Sequence, residues 1–475
     1  MGSASRLAYT ASRRARRSGC PGPGSCSKKR SSRRMRVSTE GQGTLRGVLP
    51  RSPLIRVALL LLTLLVGGVA VERAGRESND FDGFHRAAVQ VAQQRSLSLE
   101  KSVERYLPSF SVLLSPLGWL PLQVAASVWF LLNLCAIAGL PRELQRLSGV
   151  PPAGQRAAFL VALPFLVNDL GLGQSGPLLL WLATAGVARC VGVEARDERS
   201  AALFGGGLLA LAAALKLLPA GLLVVPLLLA GPRRRLASLA GFVGAGVLVA
   251  GLCVWVLGSG PAWEGLTRWR TEMFDQTPAR MVLLDRSLRH GNQSLWIASW
   301  RTFGDTSSVR VRDWPRVASL PDDVVWTAVS LGLAGLMALG AAAARSARRR
   351  LASAATANHP AADAAAATQR GGAALASARD PPDAFSVEPG LQLFALACLG
   401  MLFVSPLVWT HYFLWLLPGV LALRQRPRLV MWAGWAFVLG LASPALRSLG
   451  WHMAFAVALF VLLALDVLRA GRARR

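Results

Sequence analysis

The sequence predicts an all-α, polytopic membrane protein with about twelve transmembrane helices. The 475-residue chain is 53% hydrophobic and has a mean hydropathy of +0.40, which is too apolar for a soluble protein of this length. Apolar runs, several of them near the roughly 20 residues needed to cross a bilayer core, alternate with short polar turns. Every second turn is rich in Arg, and such turns stay on the cytoplasmic side. These observations predict helices threaded through a membrane, with both chain termini in the cytoplasm.

The N-terminal segment, residues 1–51, is rich in Arg, Ser and Gly, and Glu40 is its one acidic residue. This composition predicts a disordered, basic cytoplasmic tail, which is shorter if translation starts at Met35. A net charge of +28 is typical of nucleic-acid-binding proteins. Here, however, most basic residues fall in the tails and the Arg-rich turns, as the positive-inside rule requires. We therefore expect no nucleic-acid partner. The six cysteines have neither disulfide-framework nor metal-ligand spacing.

The membrane domain is predicted in two parts, residues 52–344 and 389–475, joined by an Ala-rich, low-complexity cytoplasmic linker at 345–388. Its first helix is expected, uncleaved, over 57–71. The turns expected inside the cell are 141–156, 189–199, 231–235, 345–388, 424–428 and 469–475. The segments expected outside are 72–121, 168–176, 216–219, 259–323, 410–411 and 443–451. This places most residues capable of chemistry at the outer face of the plasma membrane.

The first outer segment contains an amphipathic stretch, residues 81–97, in which apolar side chains recur near helical spacing. The following stretch, 108–120, is apolar but too short to span a bilayer. Such helices can lie in the membrane interface. We therefore predict a pair of interfacial helices that wall a cavity at the membrane surface.

Two carboxylates, Asp80 and Asp82, directly follow the predicted first helix. A partly desolvated carboxylate can serve as a general base, because burial raises its pKa toward working pH. The structural alternative is a helix N-cap, a position that Asp favours.

The outer turn 168–176 reads N-D-L-G-L-G-Q-S-G and formally contains the G-x-G-x-x-G pattern of dinucleotide sites. No predicted strand precedes it, so we reject that function. Its glycines instead indicate a tight hairpin between helices. Asn168, Asp169 and Gln174 offer polar groups to a sugar or head group.

Lys216 is the one lysine in the membrane-embedded part of the sequence. An ionisable residue at membrane depth indicates function, and a phosphate or carboxylate is its natural partner. The alternative is a lysine that snorkels from a helix end. Residues around Lys216 form either a hairpin or one kinked helix. His411 can donate to a phosphate oxygen, or it can be an ordinary member of an aromatic belt with Trp409, Tyr412 and Trp415.

These motifs together resemble glycosyltransferase family 87 over about residues 57–418. The shared patterns, in chain order, are Asp80-Phe81-x-x-Phe84-x-x-Ala87, Tyr106-Leu107-Pro108 leading to Pro116-Leu117, Trp129-x-x-x-Asn133, Asn168 through Gly173-Gln174, Ala213-x-x-Lys216-x-x-Pro219, Asn292-Gln293-Ser294-Leu295 and Ser405-Pro406-x-x-Trp409-x-His411. The family is polyprenol-phosphate-mannose-dependent mannosyltransferase-like and has the GT-C fold. The basic tail and the linker 345–388 are departures from it and inherit no role.

The resemblance implies an inverting transfer of a hexose, with mannose favoured, from a polyprenyl-phosphate-sugar donor to a lipid or glycan acceptor at the outer face. It implies that Asp80 is the general base. Asp82 is an acidic neighbour that the family pattern does not require. We expect Lys216 and His411 to bind the phosphate of the sugar donor. The expected substrate-binding residues are Asp82, Tyr106, Asn168, Gln174, Asn292 and Gln293. We expect no cofactor and no metal.

A polytopic transporter of a polar or lipid-linked substrate is the main alternative. Transporters usually have internal repeats and a substrate site near the bilayer midplane. This sequence has no convincing repeat, and its polar motifs lie at one predicted face. A non-catalytic scaffold explains the apolar runs but not why Asp80, Lys216 and His411 fall on one side.

Overall fold

A computed structural model of the protein describes residues 67–69, 72, 80–94, 97, 106–192, 197–274, 293–304, 317–368, 389–405 and 408–472. The basic tail, most of the predicted first helix and Asn292 lie outside these ranges. The described residues form helices and contain no strand, apart from one isolated bridge between Gly304 and Leu320.

We number the α-helices in chain order. They are α1 Asp80–Val89, α2 Pro108–Leu114, α3 Leu122–Ser148, α4 Pro152–Gly171, α5 Gly176–Val191, α6 Glu198–Leu215, α7 Val224–Leu229, α8 Pro232–Leu257, α9 Ser259–Phe274, α10 Leu295–Phe303, α11 Asp322–Thr368, α12 Pro389–Val404, α13 Leu417–Ala422, α14 Pro427–Ala442, α15 Pro444–Ser448 and α16 Trp451–Arg472. One π-turn and three 3-10 segments extend or join them: Gln90–Gln94, Ser115–Trp119, Leu218–Leu223 and Thr410–Leu416.

Five of the described helices are long and apolar enough to cross a membrane: α3, α6, α8, the Asp322–Arg350 part of α11, and α16. Shorter apolar helices add to these: Gly176–Val191, Leu218–Leu229, Pro389–Val404, Thr410–Ala422 and Pro427–Ala442. Helix α8 carries exposed large apolar side chains such as Leu248 and Trp255. An apolar surface of this kind suits contact with lipid. The predicted all-α membrane class is thus confirmed, whereas the number of about twelve transmembrane helices stays a prediction.

Small residues let the apolar helices approach closely. A Cβ added at Gly206 of α6 would overlap the backbone of Ser238, and one at Gly241 of α8 would overlap that of Leu203. Close packing through small residues is common between membrane helices, where lipid gives little hydrophobic drive for association. The α6–α8 pair therefore forms a tightly packed wall.

Ion pairs join three of the predicted inner turns at one end of the bundle. Glu143 at the end of α3 pairs with Arg146 at 2.7 Å and with Arg189 of α5 at 3.0 Å. Arg234 of α8 lies 3.3 Å from Glu198 of α6. Three of the Arg-rich turns that the alternation assigned to one face are thus neighbours in space.

Helix α11 is longer than expected, since it continues to Thr368 inside the segment predicted as a linker. The Ala-rich composition that suggested low complexity also has the highest intrinsic helix propensity. The alanines that suggested a low-complexity linker therefore also explain why residues 345–388 are helical as far as Thr368.

Helix α1 covers most of the predicted amphipathic stretch. Its apolar side chains Phe81, Phe84, Ala87 and Ala88 are at most 2% exposed, so the structure packs this face against protein rather than leaving it to the membrane interface. Phe84 meets Phe110 of α2 edge-on, with ring centroids 4.9 Å apart. This packing fixes the N-terminus of α1, where Asp80 lies.

Candidate functional site

The outer turn between α4 and α5 brings Gln174 to Asp80. Gly173 has φ of 69°, a left-handed conformation that glycine adopts without strain, and this permits the tight turn. Trp129 of α3 donates to the Gly173 carbonyl at 2.8 Å and stacks on Phe81 of α1. Gln174 Nε2 then donates to Asp80 Oδ2 at 2.5 Å. The turn and α1 are therefore held together at the predicted base.

Tyr106 lies on the other side of Gln174. Its hydroxyl donates a long hydrogen bond of 3.5 Å to Gln174 Oε1. Its ring stacks on Phe110, with centroids 4.3 Å apart. Tyr106 lies outside the candidate spans, and burial raises its pKa well above the ordinary value while the charge of Lys216 opposes that rise. The hydroxyl is therefore protonated and able to donate.

Lys216 sits where α6 ends. It is the residue after Leu215, in an extended conformation with φ of −157° and ψ of 119°. A 3-10 turn, Leu218–Leu223, follows, so the chain breaks here rather than kinking within one helix. The Lys216 Nζ atom lies 3.9 Å from the ring centroid of Tyr412 and 5.5 Å from that of Tyr106. Both the C-terminal end of a helix and aromatic faces favour a cation.

His411 and Tyr412 begin the 3-10 segment Thr410–Leu416, with ring centroids 4.7 Å apart. His411 is 6% exposed, and its Nε2 has no hydrogen-bond partner among the described residues. Asp169, Lys216, His411 and Tyr412 supply the polar lining of a small cavity of about 10 Å³. We call this cavity the Lys216 chamber. Its volume is about that of one water site.

Asp169 is the main residue that the predicted site omitted. The sequence drew attention to Asp169 as a polar group of the turn, but the predicted substrate-binding residues include Asn168 and not Asp169. In the structure Asp169 is fully buried and faces the Lys216 chamber. Its neighbour Gly176 comes so close that an added Cβ would overlap the carboxylate. The Gly176 amide is near this carboxylate, but within the described part of the chain neither Asp169 oxygen has a hydrogen-bond partner. A buried carboxylate of this kind favours a nearby cation, and Lys216 lines the same chamber.

Contacts connect the predicted base to the predicted phosphate site. Asp80 contacts Gln174, Gln174 contacts Tyr106, and Tyr106 contacts Lys216. Four of the predicted outer segments therefore meet: 72–121, 168–176, 216–219 and 410–411. The arrangement provides a carboxylate, amide and hydroxyl groups, and a cation within one continuous cluster.

The other residues predicted to bind substrate have different surroundings. Asp82 is 8% exposed and forms an ion pair of 2.9 Å with Arg86, one helical turn away. Gln293 is fully buried and donates to the Arg447 carbonyl, while its backbone amide bonds Val408. These contacts connect Gln293 to α15 and to the loop before His411. The side chain of Asn168 is partly exposed.

The described ranges contain no group of three or more His, Cys, Asp or Glu side chains placed to hold a metal ion. Asp80 accepts a hydrogen bond from Gln174. Asp169 instead faces Lys216.

The helices and the cluster define a class: a helical membrane protein with a polar, charge-bearing site where several loops meet. Residues 105–359 match glycosyltransferase family 87, and because this is more than half of the chain, the protein belongs to that family. It is therefore a membrane glycosyltransferase with a sugar donor and an acceptor. Tyr106, Gln174 and Lys216 lie within the matched region, while Asp80 and His411 lie outside it. No curated protein and no solved structure matches the chain.

Proposed function

We propose that the protein transfers a hexose, mannose in the first instance, from a polyprenyl-phosphate donor to a lipid or glycan acceptor at the outer face of the plasma membrane. The observation that supports this most directly is the set of contacts from Asp80 through Gln174 and Tyr106 to Lys216. These contacts connect a base for the acceptor with a cation for the leaving phosphate.

Asp80 is the general base of the proposed reaction. Its carboxylate takes the proton of the acceptor hydroxyl while that oxygen bonds to the anomeric carbon. The bond between that carbon and the phosphate oxygen breaks on the opposite side, so the configuration inverts. Gln174 orients the carboxylate through its 2.5 Å hydrogen bond. A placed base of this kind typically contributes about 10²–10⁴-fold to the rate.

Lys216 and His411 bind the phosphate of the sugar donor. Charge-assisted hydrogen bonds to a phosphate are strong, especially where water is scarce. The Lys216 chamber is much smaller than a sugar phosphate. Occupation by the donor therefore requires its walls to separate, and Asp169 then exchanges its interaction with Lys216 for one with the protein or the sugar.

A large apolar cavity beside this chamber fits the lipid part of the sugar donor. The cavity, of about 710 Å³, is bordered by Leu107, next to Tyr106, and by Leu217, next to Lys216. Its other walls come from α2, α6, the stretch of α8 from Phe242 to Val254, and α9. A donor lying in the bilayer can therefore place its phosphate at Lys216 and its chain along α8. No nucleotide-binding domain is needed for such a donor.

The proposal is tested by incubating the purified full-length protein with polyprenyl-phosphate mannose or polyprenyl-phosphate glucose, and with a membrane lipid extract. Mass spectrometry should detect a lipid or glycan that gains one hexose, preferentially from the mannose donor. Proton NMR of the product should show inversion at the anomeric carbon. Transfer that needs a nucleotide sugar, or retention of configuration, contradicts the proposal.

A further inference from the structure

A second large cavity lies elsewhere in the bundle, between α7, α11 and α12. It has a volume of about 560 Å³, and its walls are formed mainly by apolar side chains such as Val224, Met337 and Leu396. Leu218 lines both this cavity and the Lys216 chamber. From Leu218 the cavity extends along α11 to Arg345 and Arg348.

Arg345 and Arg348 are the charged side chains that line this cavity within the described part of the chain. They are three residues apart on α11, so they lie on one face of the helix. Both are exposed, and the described residues supply no ion-pair partner for either. Asp466, on the adjoining helix α16, is already paired with Arg426 at 2.6 Å. Two positive charges therefore border an apolar cavity, and none of the described residues forms an ion pair with either of them.

The position of these arginines along α11 indicates which lipid would meet them. Helix α11 begins with Asp322 and Asp323, and Arg345 lies about six turns further on. In the apolar cavity beside Lys216, by contrast, α8 contributes residues from Phe242 to Val254, which begin about two turns beyond Arg235. The cavity between α7, α11 and α12 thus reaches from Leu218 to the end of the bundle where the two arginines lie, in the segment predicted to be cytoplasmic.

We propose that Arg345 and Arg348 bind the phosphate of an anionic phospholipid of the inner leaflet, with an acyl chain in the cavity between α7, α11 and α12. Basic pockets between membrane helices on the cytoplasmic side suit anionic head groups. The apolar walls complement an acyl chain, while the two guanidinium groups complement the phosphate. The phosphate of this lipid therefore lies at the far end of the cavity from Leu218, the residue that also borders the chamber proposed for the sugar donor.

The test is a lipid titration of delipidated, full-length protein in detergent, followed by native mass spectrometry. Phosphatidylglycerol should bind more tightly than phosphatidylcholine. The double variant Arg345→Gln/Arg348→Gln should bind phosphatidylglycerol about 10- to 30-fold more weakly. The matched control is Arg349→Gln/Arg428→Gln, which removes two exposed charges that do not line the cavity and should bind normally.

A second pair of variants tests the cavity without a change of charge. Ala341 lines the cavity and the neighbouring Ala342 does not, although both are exposed. Ala341→Phe should weaken phosphatidylglycerol binding, and Ala342→Phe should leave it unchanged. Equal binding of the two phospholipids, equal losses in the control variants, competition by soluble glycerol phosphate, or displacement by polyprenyl-phosphate mannose would each overturn the proposal.

Discussion

Gln174 Nε2 donates a 2.5 Å hydrogen bond to Asp80 Oδ2, across 94 residues of sequence. Tyr106 donates to the other end of the same amide group. This second bond fixes the orientation of the amide, because Oε1 faces the Tyr106 hydroxyl and Nε2 faces the carboxylate. The three residues therefore present Asp80 in one defined orientation.

Asp80→Asn should lower the transfer rate by about 100-fold or more, because the amide keeps the shape of the side chain but cannot accept the acceptor's proton. The protein should still fold and bind the sugar donor. Steady-state transfer and donor binding, measured on the same purified samples, check this expectation.

The control for Asp80→Asn is Asp82→Asn, which breaks the ion pair with half-exposed Arg86. Such pairs contribute roughly 0–1 kcal/mol, so transfer should change little. If both variants lose equal activity, or if Asp80→Asn turns over normally, Asp80 is not the base.

Gln174→Leu should lower kcat about tenfold while the KM for the sugar donor stays near its normal value, since the change removes a hydrogen bond that orients the base. Tyr106→Phe should have a smaller effect, because the bond it removes is long at 3.5 Å. Initial-rate kinetics over a range of sugar-donor concentrations separate the two parameters. A pure KM effect in Gln174→Leu would mean that Gln174 binds the donor rather than positioning Asp80.

Lys216→Met should weaken binding of the sugar donor by about tenfold or more, because it keeps the apolar stem but removes the charge that pairs with phosphate. Lys216→Arg should restore part of the affinity. Removal of the exposed charge of Arg428 is the matched control and should have no effect. Titrations with the sugar donor in excess EDTA show whether binding depends on the charge at position 216 and whether it depends on a metal ion. Wild-type activity that is lost in EDTA and restored by a divalent ion contradicts a phosphate site built from protein groups alone.

The alternation of Arg-rich and Arg-poor turns placed the segments of Asp80, Gln174, Lys216 and His411 at one predicted face of the membrane. Which of these side chains contact one another, such as Gln174 with Asp80, is decided by tertiary packing and was not predicted. The sequence prediction named Asn168 and not Asp169 as a substrate-binding residue, because adjacent helical residues point about 100° apart and only tertiary packing decides which of them is buried. The ion pair of Asp82 with Arg86, by contrast, follows the i,i+4 spacing that sequence shows directly.

Asp169→Asn should destabilise the protein in the absence of the sugar donor, because it removes a buried carboxylate that faces Lys216. Added polyprenyl-phosphate mannose should raise the unfolding temperature of this variant more than that of wild type, since the donor's phosphate then supplies the missing negative charge. Thermal unfolding in detergent, with and without the sugar donor, measures both effects. An unfolding temperature and a donor-induced shift equal to those of wild type would show that Asp169 does not balance Lys216.

Reporter fusions within residues 231–235 and 345–388 should report a cytoplasmic location, and a fusion within 259–323 should report an external one. The physical reason is the positive-inside rule, and the ion pairs of Glu143 with Arg189 and of Arg234 with Glu198 already group three Arg-rich turns at one end of the bundle. Alkaline phosphatase and green fluorescent protein fusions at the same positions give opposite signals and so control for expression. A cytoplasmic location for 259–323 would separate α9 from the proposed outer face. The cavity beside Lys216, which α9 helps to form, would then open toward the wrong leaflet for a donor used outside the cell.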